Sequence, residues 1–254
     1  MRGFFYCLMV WCSWLTGIGQ ALTKDNIIIA VASNFKPSLE YLLENHPNRH
    51  KIKIASAASG QLYAQIIKGA PFDVFLSADV KHPDLLIKQG YGVKESRFIY
   101  AKGRLKLVGN HMGRVKTIDD FRQSLQKIEY FSIANPLIAP YGMAAKDFLT
   151  QHDLWGLVQP KLVQGGNIAW SYQHIIMGNA QAGLVAASLL THKPPSGHEI
   201  SPLEIAPLNI TNDINQAAII LTSANHKKLA WDFWHYLASP KARSIMAKYG
   251  YQHG

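Results

Sequence analysis

The sequence predicts an α/β protein built on open, largely parallel sheets, and three observations lead to that class. The chain has 254 residues, 48% of them hydrophobic, which suffices for one large domain or two modest lobes with real cores. Short apolar runs of strand length alternate with amphipathic stretches of helical spacing along the chain. No internal repeat or low-complexity tract interrupts that order.

The first half of the chain opens on its clearest strand and helix. Residues 26–32 (NIIIAVA) form a continuous apolar run typical of a buried strand, and residues 35–44 form a helix that tolerates Pro37 in its first turn. The same patterns predict strands at 51–55, 72–76, 98–101 and 105–108, and helices at 61–68 and 82–89. Strands that alternate with helices in this way predict parallel neighbours in a sheet.

The second half of the chain continues the alternation. Its predicted strands are 130–134, 161–163 and 182–185, and its predicted helices are 143–151 and 168–177. A long helical segment follows at 226–248, with a break at Ser239-Pro240. The two prolines and the glycine of residues 192–198 (HKPPSGH) predict a surface loop.

The N-terminus has the pattern of a secretion signal at residues 1–21. A short positive region and an apolar stretch precede two small residues, Gly19 and Ala21, which offer a cleavage site. A retained membrane anchor is the alternative interpretation. Cleavage would remove both cysteines, Cys7 and Cys12, so the secreted chain would have no disulfide, no thiol chemistry and no cysteine-ligated zinc. The predicted location is the periplasm.

The charge balance of the chain is basic, with Lys+Arg 26, Asp+Glu 16 and a formal net charge of +10. Such a surface suits nucleic acid, a membrane surface or a small anion, and composition alone does not choose among them. Beyond the N-terminal segment no apolar run reaches the roughly 18 residues of a membrane span, which excludes a polytopic membrane protein. Secretion and the lack of a basic-aromatic motif argue against nucleic acid as a partner.

Polar and glycine residues follow three of the predicted strands, at the sheet edge where ligands bind in open α/β folds. They are Ser33-Asn34, residues 56–60 (SAASG) and, beyond the strand at 130–134, residues 139–142 (APYG). The start of a helix presents unpaired N–H groups and a partial positive charge, so these turns could cradle an anion. Structural capping by Ser and Asn is the alternative for any one turn.

Five segments resemble the periplasmic molybdate-binding proteins of ABC transporters, in the same order and with similar spacing from about Ile27 to the C-terminus. They are 29–35 (IAVASNF), 58–66 (ASGQLYAQI), 69–79 (GAPFDVFLSAD), 134–142 (ANPLIAPYG) and 164–169 (QGGNIA). The resemblance implies a two-lobed fold that closes on molybdate or tungstate and delivers it to a membrane permease. We therefore expect a monomer that is not an enzyme and that uses no cofactor and no directly ligated metal ion.

The same resemblance implies which residues bind the oxyanion. The first hydroxyl-bearing loop falls on Ser33 with Asn34, and the second falls on Ser59. The third loop falls on Tyr141, and the fourth contact, a backbone amide at a helix start, falls on Ile168. Hydroxyl, amide and backbone donors of this kind can hold a desolvated dianion without an Arg or Lys side chain.

One position departs from the family's commoner pattern. Many members place a tyrosine ligand after a strand like residues 183–186 (GLVA), and here that position holds Ala186. The hydroxyl of Tyr141 is the candidate replacement, because a phenolic O–H can donate a charge-assisted hydrogen bond to an anion. The alternative is that Tyr141 is a surface aromatic and that only its backbone N–H faces the anion.

The chain is expected to divide into two lobes joined by two crossings. Lobe 1 comprises residues 25–103 and 216–254, and lobe 2 comprises residues 104–215. The crossings are expected near Lys102-Gly103 and within residues 211–215, because glycine and polar residues there can absorb changes in backbone dihedral angles. An anion bound by donors of both lobes would then close the cleft.

A periplasmic serine acyltransferase of the penicillin-recognising type is the alternative function. Ser33 and Lys36 match the S-x-x-K pattern at the start of a helix. The same spacing recurs at Ser124 and Lys127, however, and the companion K-T-G and S-D-N motifs are absent from the sequence.

Two further side-chain pairs have structural interpretations. Asp73 and Asp79 flank the strand at 72–76 and could act as paired carboxylates, but caps or turn hydrogen bonds explain them better. His46 and His50 have helical i,i+4 spacing without the glutamate of an H-E-x-x-H motif. No metal site is therefore predicted.

Overall fold

The computed structural model of the protein describes residues 26–110, 112–191, 203–210, 213–224 and 227–252. Its strands are β1 (Ile27–Ala32), β2 (Ile52–Ala57), β3 (Val74–Leu76), β4 (Phe98–Gly103), β5 (Leu105–Gly109), β6 (Phe131–Ala134), β7 (Leu162–Gly165), β8 (Ala182–Ala186), β9 (Glu204–Ile205) and β10 (Ile214–Ile220). Its helices are α1 (Lys36–Glu44), α2 (Ser59–Ile67), α3 (Lys81–Lys88), α4 (Ile118–Lys127), α5 (Pro140–Gln151), α6 (Trp155–Val158), α7 (Ile168–Ile176), α8 (Lys228–Leu237) and α9 (Pro240–Lys248).

The strands form two five-stranded sheets, ordered β2-β1-β3-β10-β4 and β7-β6-β8-β5-β9. The predicted two-lobed α/β class is confirmed, but each sheet is mixed rather than mainly parallel. A parallel half, β2-β1-β3 or β7-β6-β8, adjoins a half in which β10 or β5 runs antiparallel to both neighbours. The reason is connectivity, because β5 and β10 enter their sheets from the other sheet rather than through the crossover helix that parallel pairing needs.

The predicted strands are all present, with ends that differ by a few residues. Helices α2 and α5 begin earlier than predicted, at Ser59 and Pro140, so that residues assigned to turns form the first turns of helices. Helix α4 and strand β10 were missed by the sequence patterns. The predicted secretion signal at 1–21 and the loop at 192–198 lie outside the described residues. Of the described helices, none is both long and apolar enough to cross a bilayer.

Helices cover both faces of the first sheet. On one face α1, α8 and α9 bury Leu39, Phe233 and Met246. On the other face α2 and α3 bury Leu62 and Leu86. Burial of a large apolar side chain stabilises the fold by about 1.5–3 kcal/mol, so this double cover holds the sheet and its strand ends in a fixed geometry.

The core of the second sheet extends to the edge of the first. Phe121 of α4, Phe131 of β6 and Leu149 of α5 lie at its centre. Ala32 at the end of β1 and Ala58 at the start of α2 belong to the same buried cluster. The carboxyl ends of the first sheet's parallel strands therefore pack directly against the second lobe.

Asp73 has a structural role, but through long-range contacts rather than the cap or turn hydrogen bond that its position predicts. Its Oδ2 accepts a hydrogen bond from the backbone N–H of Ile28 at 2.7 Å, and its Oδ1 lies 2.7 Å from Nζ of Lys227. The buried carboxylate thereby joins the start of β1 to the residue before α8. A carboxylate engaged at both oxygens is not free for acid–base chemistry.

Candidate functional site

The turns at the carboxyl ends of both sheets converge on one pocket between the lobes. Its empty volume is about 180 Å³, including space open to solvent. Every residue that the sequence predicts as a ligand lines it. The lining residues are Ala32, Ser33, Asn34, Ala58, Ser59, Ala78, Ala139, Pro140, Tyr141 and Ile168. None of these residues carries a charge, so the pocket is polar without being ionic.

Three helices begin at this pocket. Ser59 is the first residue of α2, Pro140 is the first residue of α5, and Ile168 is the first residue of α7. Proline suits the first helical position because the N–H that it lacks would have no partner within the helix. The Asn167 side chain caps α7 by accepting from the N–H groups of Ala169 and Trp170, at 3.0 and 3.1 Å. This cap leaves the N–H of Ile168 free.

Four backbone N–H groups at the pocket have no acceptor among the residues that the structure describes. They belong to Asn34, Ser59, Tyr141 and Ile168. All four residues are buried, and a buried donor without a partner costs about 1–3 kcal/mol. Three of the four lie in first helical turns, where the helix dipole adds partial positive charge. The arrangement is suited to a ligand that supplies several acceptors.

Two serine hydroxyls add donors to the same pocket. The Oγ of Ser59 accepts from the N–H of Ala78 at 2.9 Å, and the Oγ of Ser33 accepts from the N–H of Ala169 at 3.4 Å. Neither hydroxyl donates to an acceptor in the described part of the chain. Because a hydroxyl that accepts from the protein keeps its own hydrogen for another partner, both serines can donate to a ligand.

Tyr141 is buried, with 1% of its surface exposed, so the interpretation of a surface aromatic is wrong. Its hydroxyl oxygen accepts a hydrogen bond from Nε2 of Gln216 at 3.2 Å. Burial raises the pKa of Tyr141 well above its ordinary value, which keeps the phenol protonated. The hydroxyl is therefore a neutral group that can donate.

The side-chain amide of Asn34 donates to protein groups rather than into the pocket. Its Nδ2 donates to Oε1 of Gln216 at 2.9 Å and to the hydroxyl of Tyr251 at 3.0 Å. The ligand contact available to Asn34 is thus its backbone N–H. Gln216 and Tyr251 were both missed by the sequence reasoning, although a glutamine inside the apolar run of β10 is a signal that could have identified the first of them.

Ala186 lies at the end of β8 and is fully buried opposite Leu105 of β5. It offers no hydroxyl, as the sequence indicates. On β4, which precedes β5 in the chain but lies in the first sheet, a Cβ added at Gly103 would collide with the hydroxyl of Tyr141. The phenol of Tyr141 therefore reaches the strand at which the chain passes from one sheet to the other.

Direct hydrogen bonds join the lobes around the pocket. The N–H of Gly60 donates to the carbonyl of Ile138 at 2.9 Å, and the Oγ of Ser188 donates to the carbonyl of Asn34 at 3.2 Å. The contact between Ser33 and Ala169 also crosses from the first lobe to the second. The structure thus describes the closed arrangement of the cleft.

The geometry gives no support to the alternative of a serine acyltransferase. Nζ of Lys36 pairs with Oε1 of Glu40 at 2.7 Å, and both side chains are 45% exposed. The ammonium group is therefore engaged on the solvent side of α1 rather than poised as a base for Ser33. Among the described residues there is also no group of three or more side chains able to hold a metal ion.

Asp79, the second carboxylate singled out in the sequence, belongs to a turn. Its carboxylate accepts from the hydroxyl of Ser77 at 2.9 Å and contacts Nδ1 of His82 at 2.7 Å. Burial raises the pKa of Asp79, but the hydrogen bonds and charge of His82 and the Ser77 hydroxyl together hold it below the ordinary value. The group is an ionised turn residue beside the end of β3, as its position predicts.

The sequence matches the family described as bacterial extracellular solute-binding proteins over residues 27–252. It is 35% identical over 238 residues to the molybdate-binding protein ModA of Rhodobacter capsulatus, covering 92% of this chain and 91% of that protein. It is 36% identical over 239 residues to the molybdate-binding protein ModA of Azotobacter vinelandii, covering 91% of each chain.

The fold is similar to solved structures of the same kind. The periplasmic molybdate-binding protein of Azotobacter vinelandii superposes with a TM-score of 0.75 and 31% identity, over 90% of this chain and 100% of that one. The sulfate-binding protein SubI of Mycobacterium tuberculosis superposes with a TM-score of 0.71 over 90% of this chain and 86% of that one. At 14% identity this second likeness concerns the fold alone.

Proposed function

Since the chain belongs to the bacterial extracellular solute-binding proteins, we propose that it captures molybdate or tungstate between its lobes and delivers it to an ABC transporter permease. The observation that carries this proposal is the donor set of the pocket. Four unpaired N–H groups and two serine hydroxyls surround a space without any charged side chain. A tetrahedral oxyanion that carries only acceptors fits this arrangement.

The binding energy is accounted for without a cationic ligand. Hydrogen bonds to a charged group contribute about 1.5–3 kcal/mol each, and the helix N-termini add a favourable dipole interaction. None of the residues that line the pocket carries a carboxylate, the acceptor that would most favour a protonated oxyanion. A fully deprotonated dianion is therefore the species that such a pocket selects.

Each lobe supplies part of the proposed site. Ser33, Asn34 and Ser59 belong to lobe 1 (25–103 and 216–254), and Tyr141 and Ile168 belong to lobe 2 (104–215). The strand arrangement supports this division, because β4 and β10 lie in the first sheet and β5 lies in the second. The two crossings are then the link between β4 and β5 and the proposed hinge at 211–215, whose last two residues begin β10.

The proposed function places the protein in the periplasm. Residues 1–21 act as a secretion signal, and the released chain works in the periplasm as a monomer. It needs no cofactor, no metal ion ligated by side chains and no nucleic acid, since molybdate is held through its own oxygens. The similar proteins that are named as periplasmic and molybdate-binding support this setting.

The proposal is tested by calorimetry and thermal shift of the secreted protein with four anions: molybdate, tungstate, sulfate and phosphate. We expect molybdate and tungstate to stabilise the protein strongly and to bind with a 1:1 stoichiometry. Sulfate is smaller, so donors placed to reach the oxygens of molybdate would make stretched hydrogen bonds to those of sulfate, and its effect should be far weaker. Equal stabilisation by sulfate and phosphate would contradict the proposed ligand.

A further inference from the structure

We propose that Gln216 is a positioning residue for the oxyanion site, because its side-chain amide fixes the hydroxyl of Tyr141 so that the O–H hydrogen faces the bound anion. The inference rests on the proposed function and deepens it. Gln216 lies on β10, is fully buried and does not line the pocket. It would act through Tyr141 rather than by touching the ligand.

The orientation of the Gln216 amide is set by its neighbours. Its Oε1 accepts from Nδ2 of Asn34 at 2.9 Å and lies 3.1 Å from the hydroxyl of Tyr100, whose single hydrogen is shared with the carbonyl of Ser77 at 3.2 Å. Burial raises the pKa of Tyr100 well above its ordinary value, so that hydroxyl stays protonated and remains a donor. A flipped amide would place the N–H groups of Gln216 against the Nδ2 donor of Asn34. The Nε2 group must therefore be the end that meets Tyr141.

This orientation determines what the Tyr141 hydroxyl can do. Its oxygen accepts from Nε2 of Gln216 at 3.2 Å, so its single hydrogen must point elsewhere. Among the described residues the acceptor beside this hydroxyl is the side-chain amide of Asn34, whose Oδ1 is buried and otherwise unpaired. Tyr141 lines the pocket, and a charged oxyanion bound there is a stronger acceptor for the hydrogen than a neutral amide oxygen. The hydroxyl then takes the place of the tyrosine that is missing at Ala186.

The backbone around Gln216 is shaped to allow this contact. The pairing of β10 with β4 shifts register between Gln216 and Ala217, an irregularity of the kind that redirects a side chain. On β4, a Cβ added at Gly103 would collide with the Tyr141 hydroxyl and would come within 2.6 Å of Nε2 of Gln216. The glycine thus leaves the space in which the two side chains meet.

The bond between Gln216 and Tyr141 also crosses between the lobes. Gln216 belongs to the first sheet, whereas Tyr141 lies in the first turn of α5 and packs in the core of the second. The contact can therefore form only when the two lobes are together. Gln216 therefore orients the Tyr141 hydroxyl only when the lobes are closed. The hydrogen bond from Tyr141 to the anion is then available only in the closed state.

The test is a double-mutant cycle with Gln216→Met and Tyr141→Phe, measured as the molybdate dissociation constant by calorimetry. Methionine keeps the approximate shape of glutamine and removes both polar ends. We expect Gln216→Met to bind molybdate about tenfold more weakly, the equivalent of about 1.4 kcal/mol, and Tyr141→Phe to lose more than tenfold. In the Tyr141→Phe background, Gln216→Met should change affinity by less than about twofold, because its effect passes through the absent hydroxyl.

A matched control separates positioning from general destabilisation. Ser96 is a buried polar residue of the same lobe whose hydroxyl donates to the carbonyl of Val93 and accepts from the N–H of Ile220. Ser96→Ala should lower the melting temperature and leave molybdate affinity unchanged. A Gln216→Met variant with wild-type affinity, or one with an equal loss in both backgrounds, would overturn the positioning role.

A second variant covers the case in which Gln216→Met does not fold. Gln216→Leu removes the donor to Tyr141 with a side chain of similar volume that brings no polar group or charge into this buried position. We expect it to fold and to lose molybdate affinity by at least about tenfold. Wild-type affinity in this variant would also overturn the inference. Failure of the unmodified protein to bind molybdate would instead overturn the proposed function.

Discussion

Ser59 shows how one hydroxyl serves both the fold and the proposed ligand. Its oxygen accepts from the N–H of Ala78 at the end of β3, while its hydrogen remains available in the pocket. A side chain of this kind orders the site before the ligand arrives, because the accepted hydrogen bond fixes the rotamer. The site residues are therefore positioned by the protein's own hydrogen bonds and not by the anion alone.

The substitution Ser59→Ala should weaken molybdate binding by about 1.5–3 kcal/mol, since it removes one charge-assisted donor. It should also lower the free energy of unfolding without ligand by about 1 kcal/mol, because the N–H of Ala78 loses its acceptor. Calorimetry and thermal denaturation measure the two effects separately. Ser132→Ala is the control, since this buried hydroxyl of the second lobe donates to the carbonyl of Val163. Unchanged affinity in Ser59→Ala would remove the hydroxyl from the ligand set.

Tyr141→Phe should weaken molybdate binding by about 1.5–3 kcal/mol, because it removes the hydroxyl and nothing else. The same substitution should also affect the stability of the protein without ligand. Nε2 of Gln216 would be left buried without an acceptor, so the melting temperature without ligand should fall as well. Thermal denaturation without anion, compared with calorimetry in its presence, distinguishes the two effects. A variant that loses stability but keeps full affinity would show that the phenol supports the fold without contacting the anion.

The N-terminus of α7 allows a backbone donor to be tested directly. Ile168 occupies the first helical position, where proline is well tolerated, and Asn167 before it is extended, with φ −153° and ψ 175°. Ile168→Pro should therefore keep the helix while removing the N–H. We expect molybdate binding to weaken by about 1.5–3 kcal/mol, measured by calorimetry.

The matched control for Ile168→Pro is Ile168→Val. Both variants shorten a buried side chain, which costs stability through lost packing. Only the proline variant loses the N–H. If valine and proline lower the affinity equally, the backbone donor is not a ligand and packing at the pocket explains the loss.

Sequence patterns predicted the helices and strands whose hydrophobic spacing is complete within their own segment. The apolar run of β1 and the helical spacing of α3 were identified because each pattern lies within its own segment. Helix α4 was missed, although Thr117 and Asp120 form a capping box at its start. Strand β10 was missed because glutamine and alanine dilute its apolar run, and it becomes a strand by pairing with β3 and β4.

In the candidate site, sequence patterns predict the residues that line the pocket but not the residues that support them. Ser33, Ser59 and Tyr141 lie in recognisable turns, and the structure brings them to one pocket. The hydrogen bonds that position these residues join distant parts of the chain. Asn34 and Gln216, for example, are hydrogen-bonded across 182 positions in sequence. A spacing of that length carries no periodic signal, so only the assembled fold reveals the partner.

At the scale of the whole molecule, donors from both lobes predict closure by the anion. The closed structure has lobe-to-lobe hydrogen bonds from Gly60 to Ile138 and from Ser188 to Asn34. An open form would expose these groups to water, and the anion adds the interactions that favour the closed form. We expect the radius of gyration in small-angle scattering to decrease when molybdate is added. An unchanged radius at saturating molybdate would indicate a cleft that stays closed without ligand.

Gly60 offers a way to hinder closure without touching the ligand contacts. A Cβ at this position would lie 2.8 Å from the carbonyl oxygen of Ile138, a backbone atom of the opposite lobe. Something must then shift, and the hinge moves more easily than the packed core of either lobe. Gly60→Ala should therefore hold the lobes slightly apart. The four N–H donors, two from each lobe, could then no longer reach one anion at hydrogen-bond distance.

We expect Gly60→Ala to bind molybdate at least about tenfold more weakly and to show less compaction in scattering with saturating anion. Its melting temperature without ligand should be equal to or higher than that of the unmodified protein, because alanine favours a helix by up to about 1 kcal/mol over glycine. Gly156→Ala is the control, since that glycine lies in α6 and a Cβ there meets nothing within 4 Å. Loss of affinity at unchanged or raised stability would separate closure from folding. Full affinity with full compaction in Gly60→Ala would mean that the lobes accommodate the methyl group and that tight contact at Ile138 is not required for binding.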